Sequence, residues 1–211
     1  MSLPAHLTKA YHKWHKSDFQ EKKAHFETLI SDGQHPQAMV ISCCDSRVHV
    51  TDIFGVSEGD FFIHRNIANY VPPHQSEADS HGTGAALEYA VTVLGVAHII
   101  VVGHAMCGGV QGCYDLHTGA NEALANPRSY IGKWVDLMRP SFDAIAGTDG
   151  AQDVHERERA NVCVSLAHLA EFPFIKTAMA EGRLQLHGLW HDIAAGNLYH
   201  YASDEDKFLP L

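Results

Sequence analysis

The chain has 211 residues, 45% of them hydrophobic, and a formal net charge of −10 with histidines neutral. That is enough for one sizeable core, and the acidic balance argues against a nucleic-acid binder. No run of 18 apolar residues exists to span a membrane, the N-terminus lacks the charged and apolar regions of a signal peptide, and five cysteines are an odd number. Reduced thiols in a cytoplasmic protein are therefore expected.

In chain order, Leu7, Tyr11 and Trp14 share one helical face. Ser17-Asp18-Phe19-Gln20 has capping-box form ahead of a second helix carrying Phe26, Leu29 and Ile30. These aromatics are expected to pack on their own core or on a second subunit. A strand is predicted over roughly 38–42, a second over 60–64, and a loop at Tyr70-Val71-Pro72-Pro73. Leu87, Ala90, Val91 and Leu94 mark a helix stopped by Gly95, leading to a strand at 98–102 through a βαβ crossover. Asn126-Pro127 is expected to open a helix with Ile131, Trp134, Val135 and Met138 inward. A loop over 141–152, a long helix burying Val162, Leu166 and Leu169 up to Pro173, a strand at 183–187 and a turn at 194–197 complete the pattern. The expected fold is α/β: a mostly parallel central β-sheet flanked by helices. It forms one domain over 1–211, with a helical arm over 1–32 packing on a partner subunit.

Two clusters follow predicted strands. Cys43-Cys44-Asp45-Ser46-Arg47 follows Ala38-Met39-Val40-Ile41, and Gly103-His104-Ala105-Met106-Cys107-Gly108-Gly109 follows Ile99-Ile100-Val101-Val102. Open α/β sheets place their sites at the carboxyl ends of strands. Cys43, His104 and Cys107 make three of zinc's four positions and leave one open, as catalysis requires. Closure by Asp45 or Cys44 into a structural site is the alternative. Cys107 would sit at a helix N-terminus, which favours its thiolate. Gly108 and Gly109 let the backbone approach metal or substrate. Arg47, two residues from Asp45, would hold its carboxylate ionised and aimed. Most of the 17 histidines carry little weight. His49, His64 and His81 are candidate proton relays whose surface or core roles are favoured. His187 and His191 would stand about 13 Å apart on a strand, which disfavours a second metal there. Cys113 and Cys163 read as packed thiols, and Glu156-Arg157-Glu158-Arg159 as a solvated helix face.

At these residues the chain resembles the β-class carbonic anhydrases. The likeness runs through C-x-D-S-R, H-x-x-C-G-G, Arg65-Asn66-Ile67-Ala68-Asn69, Gly82–Tyr89, Asn161-Val162 with Ser165-Leu166, Leu186-His187-Gly188 and Asp192-Ile193. It implies one zinc ion per subunit on Cys43, His104 and Cys107, and an Asp45–Arg47 catalytic dyad. It implies reversible hydration of carbon dioxide to bicarbonate by zinc-bound hydroxide, in a pocket at a dimer interface. Gln34, nine residues before Cys43, marks the plant-like subtype, with Phe62, Ile67, Tyr89 and Gly108 in the substrate site. Val40 stands where the other subtype has the tryptophan of an inhibitory bicarbonate site, so that inhibition is not expected. Cys44 and His191 depart from the family pattern without touching a ligand. The expected partners are carbon dioxide or bicarbonate and a second copy of the chain, as a homodimer with assembly to a tetramer or higher left open. Two other readings stand beside this one: a carbonyl sulfide or carbon disulfide hydrolase on the same scaffold, and a non-catalytic zinc or bicarbonate-binding protein.

Overall fold

The computed structural model describes residues 2–74 and 81–211, in two compact units, Met1–His35 and Pro36–Leu211. The first unit is a pair of helices, α1 (Ala5–Lys16) and α2 (Asp18–Asp32), neither of which has a buried residue. Tyr11, Trp14, Phe19 and Phe26 form a ladder of ring contacts at 5.4–6.2 Å. The expected capping box does not form. Ser17 directly follows the last residue of α1, and its hydroxyl bonds the Lys13 carbonyl at 2.9 Å instead of an amide of α2.

The second unit is built on a six-stranded sheet in the order β2-β1-β3-β4-β5-β6. The strands are β1 (Ala38–Cys43), β2 (Phe61–Asn66), β3 (His98–His104), β4 (Gln185–Asp192), β5 (Asn197–Ala202) and β6 (Lys207–Pro210). The first four run parallel and the last two are added antiparallel. β1 is buried at every position, as its unbroken apolar run requires. Its residues alternate between two cores. Met39 and Ile41 join Leu87, Val101, Val162 and Ile175 on one face, and Val40 joins Val48, Val102 and Leu189 on the other.

The helices of this unit are α3 (Val50–Phe54), α4 (Gly82–Glu88), α5 (Gly108–Thr118), α6 (Tyr130–Asp136), α7 (Arg139–Asp143), α8 (Val154–Leu169) and α9 (Pro173–Ala180). α4 widens into a π-helix over Tyr89–Leu94, stopped by Gly95 in the left-handed conformation. Several expectations are corrected. α6 is capped by Ser129, whose hydroxyl accepts the Gly132 amide at 2.9 Å, whereas the Asn126 side chain accepts the Arg128 amide in the preceding turn. Gly132 rather than Ile131 then faces inward, and Ile131 is exposed. The expected loop over 141–152 contains the end of α7 and a 3₁₀ turn, Asp149–Gln152. Pro173 opens α9 rather than merely ending α8, because proline suits the first helical position. The strand expected at 183–187 is longer, since it pairs with β3 as far as His191.

Candidate metal centre

β1 and β3 are neighbours, while the strands that follow them in sequence, β2 and β4, lie on opposite sides of the pair. Such a reversal opens a crevice at the carboxyl ends of the two strands. Cys43 ends β1, His104 ends β3, and Cys107 caps α5 three residues later. Their ligand atoms lie within 4.8 Å of one another, and all three residues are buried.

The donor set fits a zinc ion. The Cys43 and Cys107 sulfurs are 4.0 Å apart. Two zinc–thiolate bonds at a tetrahedral angle span about 3.8 Å. His104 Nδ1 bonds the Ala105 carbonyl at 2.9 Å, while its buried Nε2 has no partner. A buried imidazole nitrogen left open beside two thiols is what a ligand awaiting a metal presents.

Electrostatics prepare the sulfurs. The Cys43 thiol is drawn far below its usual range by the hydrogen bond from Cys107; burial opposes this, and His104 with the Asp45 and Ala68 amides assists it. Cys107 holds its proton correspondingly, through that same bond and burial, although the Val110 and Gly109 amides at the start of α5 pull the other way. Burial disfavours charge on His104, but Cys43, the Ala105 carbonyl and Asp45 together raise its pKa.

Asp45 and Arg47 lie on the turn after β1. Arg47 Nε donates to Asp45 Oδ1 at 2.9 Å and Nη2 donates to Oδ2 at 2.7 Å, a bidentate pair. The Arg47 amide also donates to Oδ1 at 2.9 Å. These bonds from Arg47 hold the Asp45 carboxyl well below the usual carboxylate range. Arg47 Nη2 reaches the Met106 carbonyl at 3.2 Å as well, tying the two motif loops together. From beneath, Arg65 donates to the Cys43 carbonyl at 2.9 Å and to the Asp45 carbonyl at 2.7 Å.

The remaining expected site residues are spread out. Ile67 begins a 3₁₀ turn after β2, and Gly108 opens α5 with no atom within 4 Å of where a Cβ would stand. Phe62 and Tyr89 meet ring to ring at 5.8 Å. Phe62 pairs in register with Met39, four residues before Cys43, so this ring pair lies about 13 Å down the strands from its own cluster. Gln34 belongs to the Met1–His35 unit. Cys44 is exposed and Cys113 buried. His64 bonds Thr83 at 3.0 Å and His81 caps α4 through the Gly84 amide at 2.9 Å, so both have structural partners.

The solvated-face reading of residues 156–159 is overturned. Glu158 is 1% exposed, and its Oε1 accepts the Cys107 amide at 2.9 Å. Arg159 lies over the Trp190 ring at 4.5 Å and Arg157 over Tyr114 at 3.9 Å. Asn161, fully buried, donates to the Ala68 carbonyl at 2.8 Å. Asn161 was visible in sequence only as a point of resemblance; nothing in the charge run marked Glu158.

A family model described as carbonic anhydrase matches residues 38–198. The β carbonic anhydrase 3 of Arabidopsis thaliana is 31% identical over 187 residues, covering 86% of this chain and 70% of its own length. The solved β-carbonic anhydrase CcaA superposes with a TM-score of 0.86 at 30% identity, covering 98% of this chain and 91% of that one. A tetrameric β-carbonic anhydrase of the ascomycete Sordaria macrospora gives 0.76 at 30% identity, over 92% and 94% of the two chains.

Proposed function

The chain belongs to the β class of carbonic anhydrases, and we propose that it hydrates carbon dioxide reversibly with zinc held by Cys43, His104 and Cys107 and with Asp45 and Arg47 as the catalytic dyad. One observation carries the reading: a buried Cys–His–Cys set with an unpartnered Nε2, beside a carboxylate fixed by an arginine. Zinc bound there supplies Lewis acidity, which acidifies water and so makes a nucleophile available near neutral pH.

The chain's own residues then have definite tasks. Asp45, kept ionised by Arg47, accepts the hydrogen of the attacking nucleophile and turns a lone pair towards the substrate. Arg47 fixes that carboxylate against rotation, and its bond to the Met106 carbonyl keeps the dyad registered to the His104–Cys107 loop. Ile67 and Gly108 are the proposed lining of the substrate space, a reading supported by the open backbone at Gly108 and by the packing of the Ile67 side chain on Gly109. The distance of Phe62 and Tyr89 from their own cluster supports the reading that a partner subunit supplies such rings and that the working form is at least a homodimer. The tetrameric assembly of the Sordaria protein supports the same reading. Gln34, with these rings, supports assignment to the plant-like subtype. Five free cysteines suit a reducing compartment, which we propose is the cytoplasm.

Stopped-flow measurement of CO₂ hydration across pH on zinc-loaded protein, with Cys107→Ser as control, tests this directly. Fast hydration that rises with pH and is lost in the control is expected. No hydration at any pH from about 7 to 9 with zinc bound would sink the proposal, given that hydroxide is the nucleophile. Sulfide release from carbonyl sulfide would then identify the alternative hydrolase.

A further inference from the structure

α8 is seated unusually close to the sheet. A Cβ on Gly103 would stand 2.6 Å from Val162 Cγ2, and one on Gly188 would stand 2.7 Å from Leu166 Cδ1. This close approach brings Glu158 and Asn161, neighbours on one face of the helix, to the loop that carries Cys107 and to the turn after β2 whose Ala68 amide faces Cys43.

Each of the two is linked to a different ligand, Glu158 directly to Cys107 and Asn161 through Ala68 to Cys43. Glu158 Oε1 accepts the Cys107 amide at 2.9 Å; its Oε2 accepts Trp190 Nε1–H at 3.1 Å and faces His155 Nδ1 at 3.1 Å. Asn161 Nδ2 donates to the Ala68 carbonyl at 2.8 Å, while its Oδ1 accepts the Ser141 hydroxyl at 3.0 Å. Ala68 is held at a φ of 66°, a left-handed conformation that L-residues with a Cβ adopt only at a cost. In that conformation its amide points at Cys43 Sγ, 3.4 Å away. One chain of bonds therefore runs from Ser141 through Asn161 and Ala68 to the Cys43 sulfur. A second runs from Trp190 and His155 through Glu158 to the Cys107 backbone.

Burying a carboxyl and an amide side by side is expensive unless every group is matched. Apolar residues at 158 and 161 would seat the helix as well, but would leave the Cys107 amide and the Ala68 turn without partners. We propose that Glu158 and Asn161 are positioning residues for the metal, jointly setting the two sulfurs at bonding separation through the backbone on either side of the site. The inference rests on the reading that Cys43, His104 and Cys107 hold zinc. Removing outer partners of metal ligands typically weakens metal binding by about 10–100-fold.

The test is zinc affinity by chelator competition, together with the thiolate-to-metal charge-transfer band of the cobalt-substituted protein. Glu158→Gln and Asn161→Asp are compared with wild type. Leu169→Ala serves as a control that destabilises the same helix through its apolar core. Glu158→Gln retains an acceptor for the Cys107 amide and is expected to lose less than Glu158→Ala. Asn161→Asp is nearly isosteric but turns an acceptor towards the Ala68 carbonyl, so it is expected to lose as much as Asn161→Ala. Both series should fall about 10–100-fold in zinc affinity with an altered cobalt band, while Leu169→Ala keeps wild-type affinity despite a lower melting temperature. Should Asn161→Asp not fold, Ser141→Ala frees the Asn161 amide without altering α8 and should weaken zinc in the same direction. Wild-type affinity in the Glu158 and Asn161 variants overturns the inference, as does an equal loss in Leu169→Ala. A wild-type protein that binds cobalt without a thiolate band overturns the metal site itself, and the inference with it.

Discussion

Asp45 and Arg47 are two residues apart, and their pairing is made within the turn after β1, where the Arg47 amide and guanidinium both reach the Asp45 carboxylate. Arg47 holds the carboxyl well below its usual range. The contribution of the pair to stability is thus full above the unfolded carboxylate range and is lost only as the pH falls below it. Asp45 is therefore expected to be ionised above the unfolded carboxylate range, and a pH profile of activity near neutrality is expected to come from another group. Asp45→Asn should lower CO₂ hydration by about a hundredfold or more while zinc content, measured by atomic absorption, is unchanged. Equal rates in variant and wild type would remove Asp45 from the mechanism. Cys113 titrates in the opposite sense: burial, then Asp136 and Asp143, push its thiol up from 9.0 to about 12. The folded state keeps that proton while the unfolded chain loses it, so stability is intact below pH 9 and falls between about 9 and 12. Urea unfolding across that window should show a shallower decline in Cys113→Ala than in wild type, the difference reaching at most about 4 kcal/mol. Parallel declines would place the alkaline transition elsewhere. Glu158 shows the limit of reading residues singly. A run of four alternating charges is the ordinary signature of a solvated face, and only the docking of α8 decides which of the four points inward.

At the scale of elements, apolar runs made β1 and β3 legible, because strands buried on both faces need no alternation. Helix boundaries were less so. Asn126-Pro127 has the chemistry of a helix start, yet α6 begins at Tyr130, where Ser129 makes the capping bond and Gly132 fits against the chain. A Cβ there would stand 2.0 Å from the Leu124 carbonyl oxygen. The glycines under α8 carry a sharper consequence. Gly103→Ala should destabilise the protein by about 1–3 kcal/mol through overpacking against Val162, measured by chemical denaturation. Adding Val162→Ala should recover part of the loss, since the clash is with a single methyl group. If the double variant is no better than the sum of the singles, the contact with Val162 is not the cause.

At the scale of the whole molecule, the two units differ in how they are stabilised. Among the described residues the buried apolar clusters all lie in Pro36–Leu211, whereas the helices of Met1–His35 bury none of their residues, leaving Leu7, Tyr11 and Trp14 exposed. An exposed apolar set of this kind marks an interaction surface, and a second copy of the chain is the proposed partner. Sedimentation velocity should show a dimer or larger assembly for the full chain and a smaller species once residues 1–35 are removed, with lower activity if partner rings complete the pocket. An unchanged sedimentation coefficient per subunit set would assign the arm another task.

By itself the sequence determined the family likeness and pointed to the proposed chemistry and its rough placement. The three proposed ligands, the proposed dyad and the strands before them are local patterns, each set within about ten residues by residue type, turn geometry and apolar runs. Only the tertiary structure decided what surrounds them. The strand order that puts β1 beside β3, the seating of α8 on two glycines, and the inward aim of Glu158 and Asn161 depend on contacts between residues far apart in the chain, from Gly188 with Leu166 to Asn161 with Ala68. Local periodicity carries no record of such contacts, because the same helix face reads as polar until something packs against it.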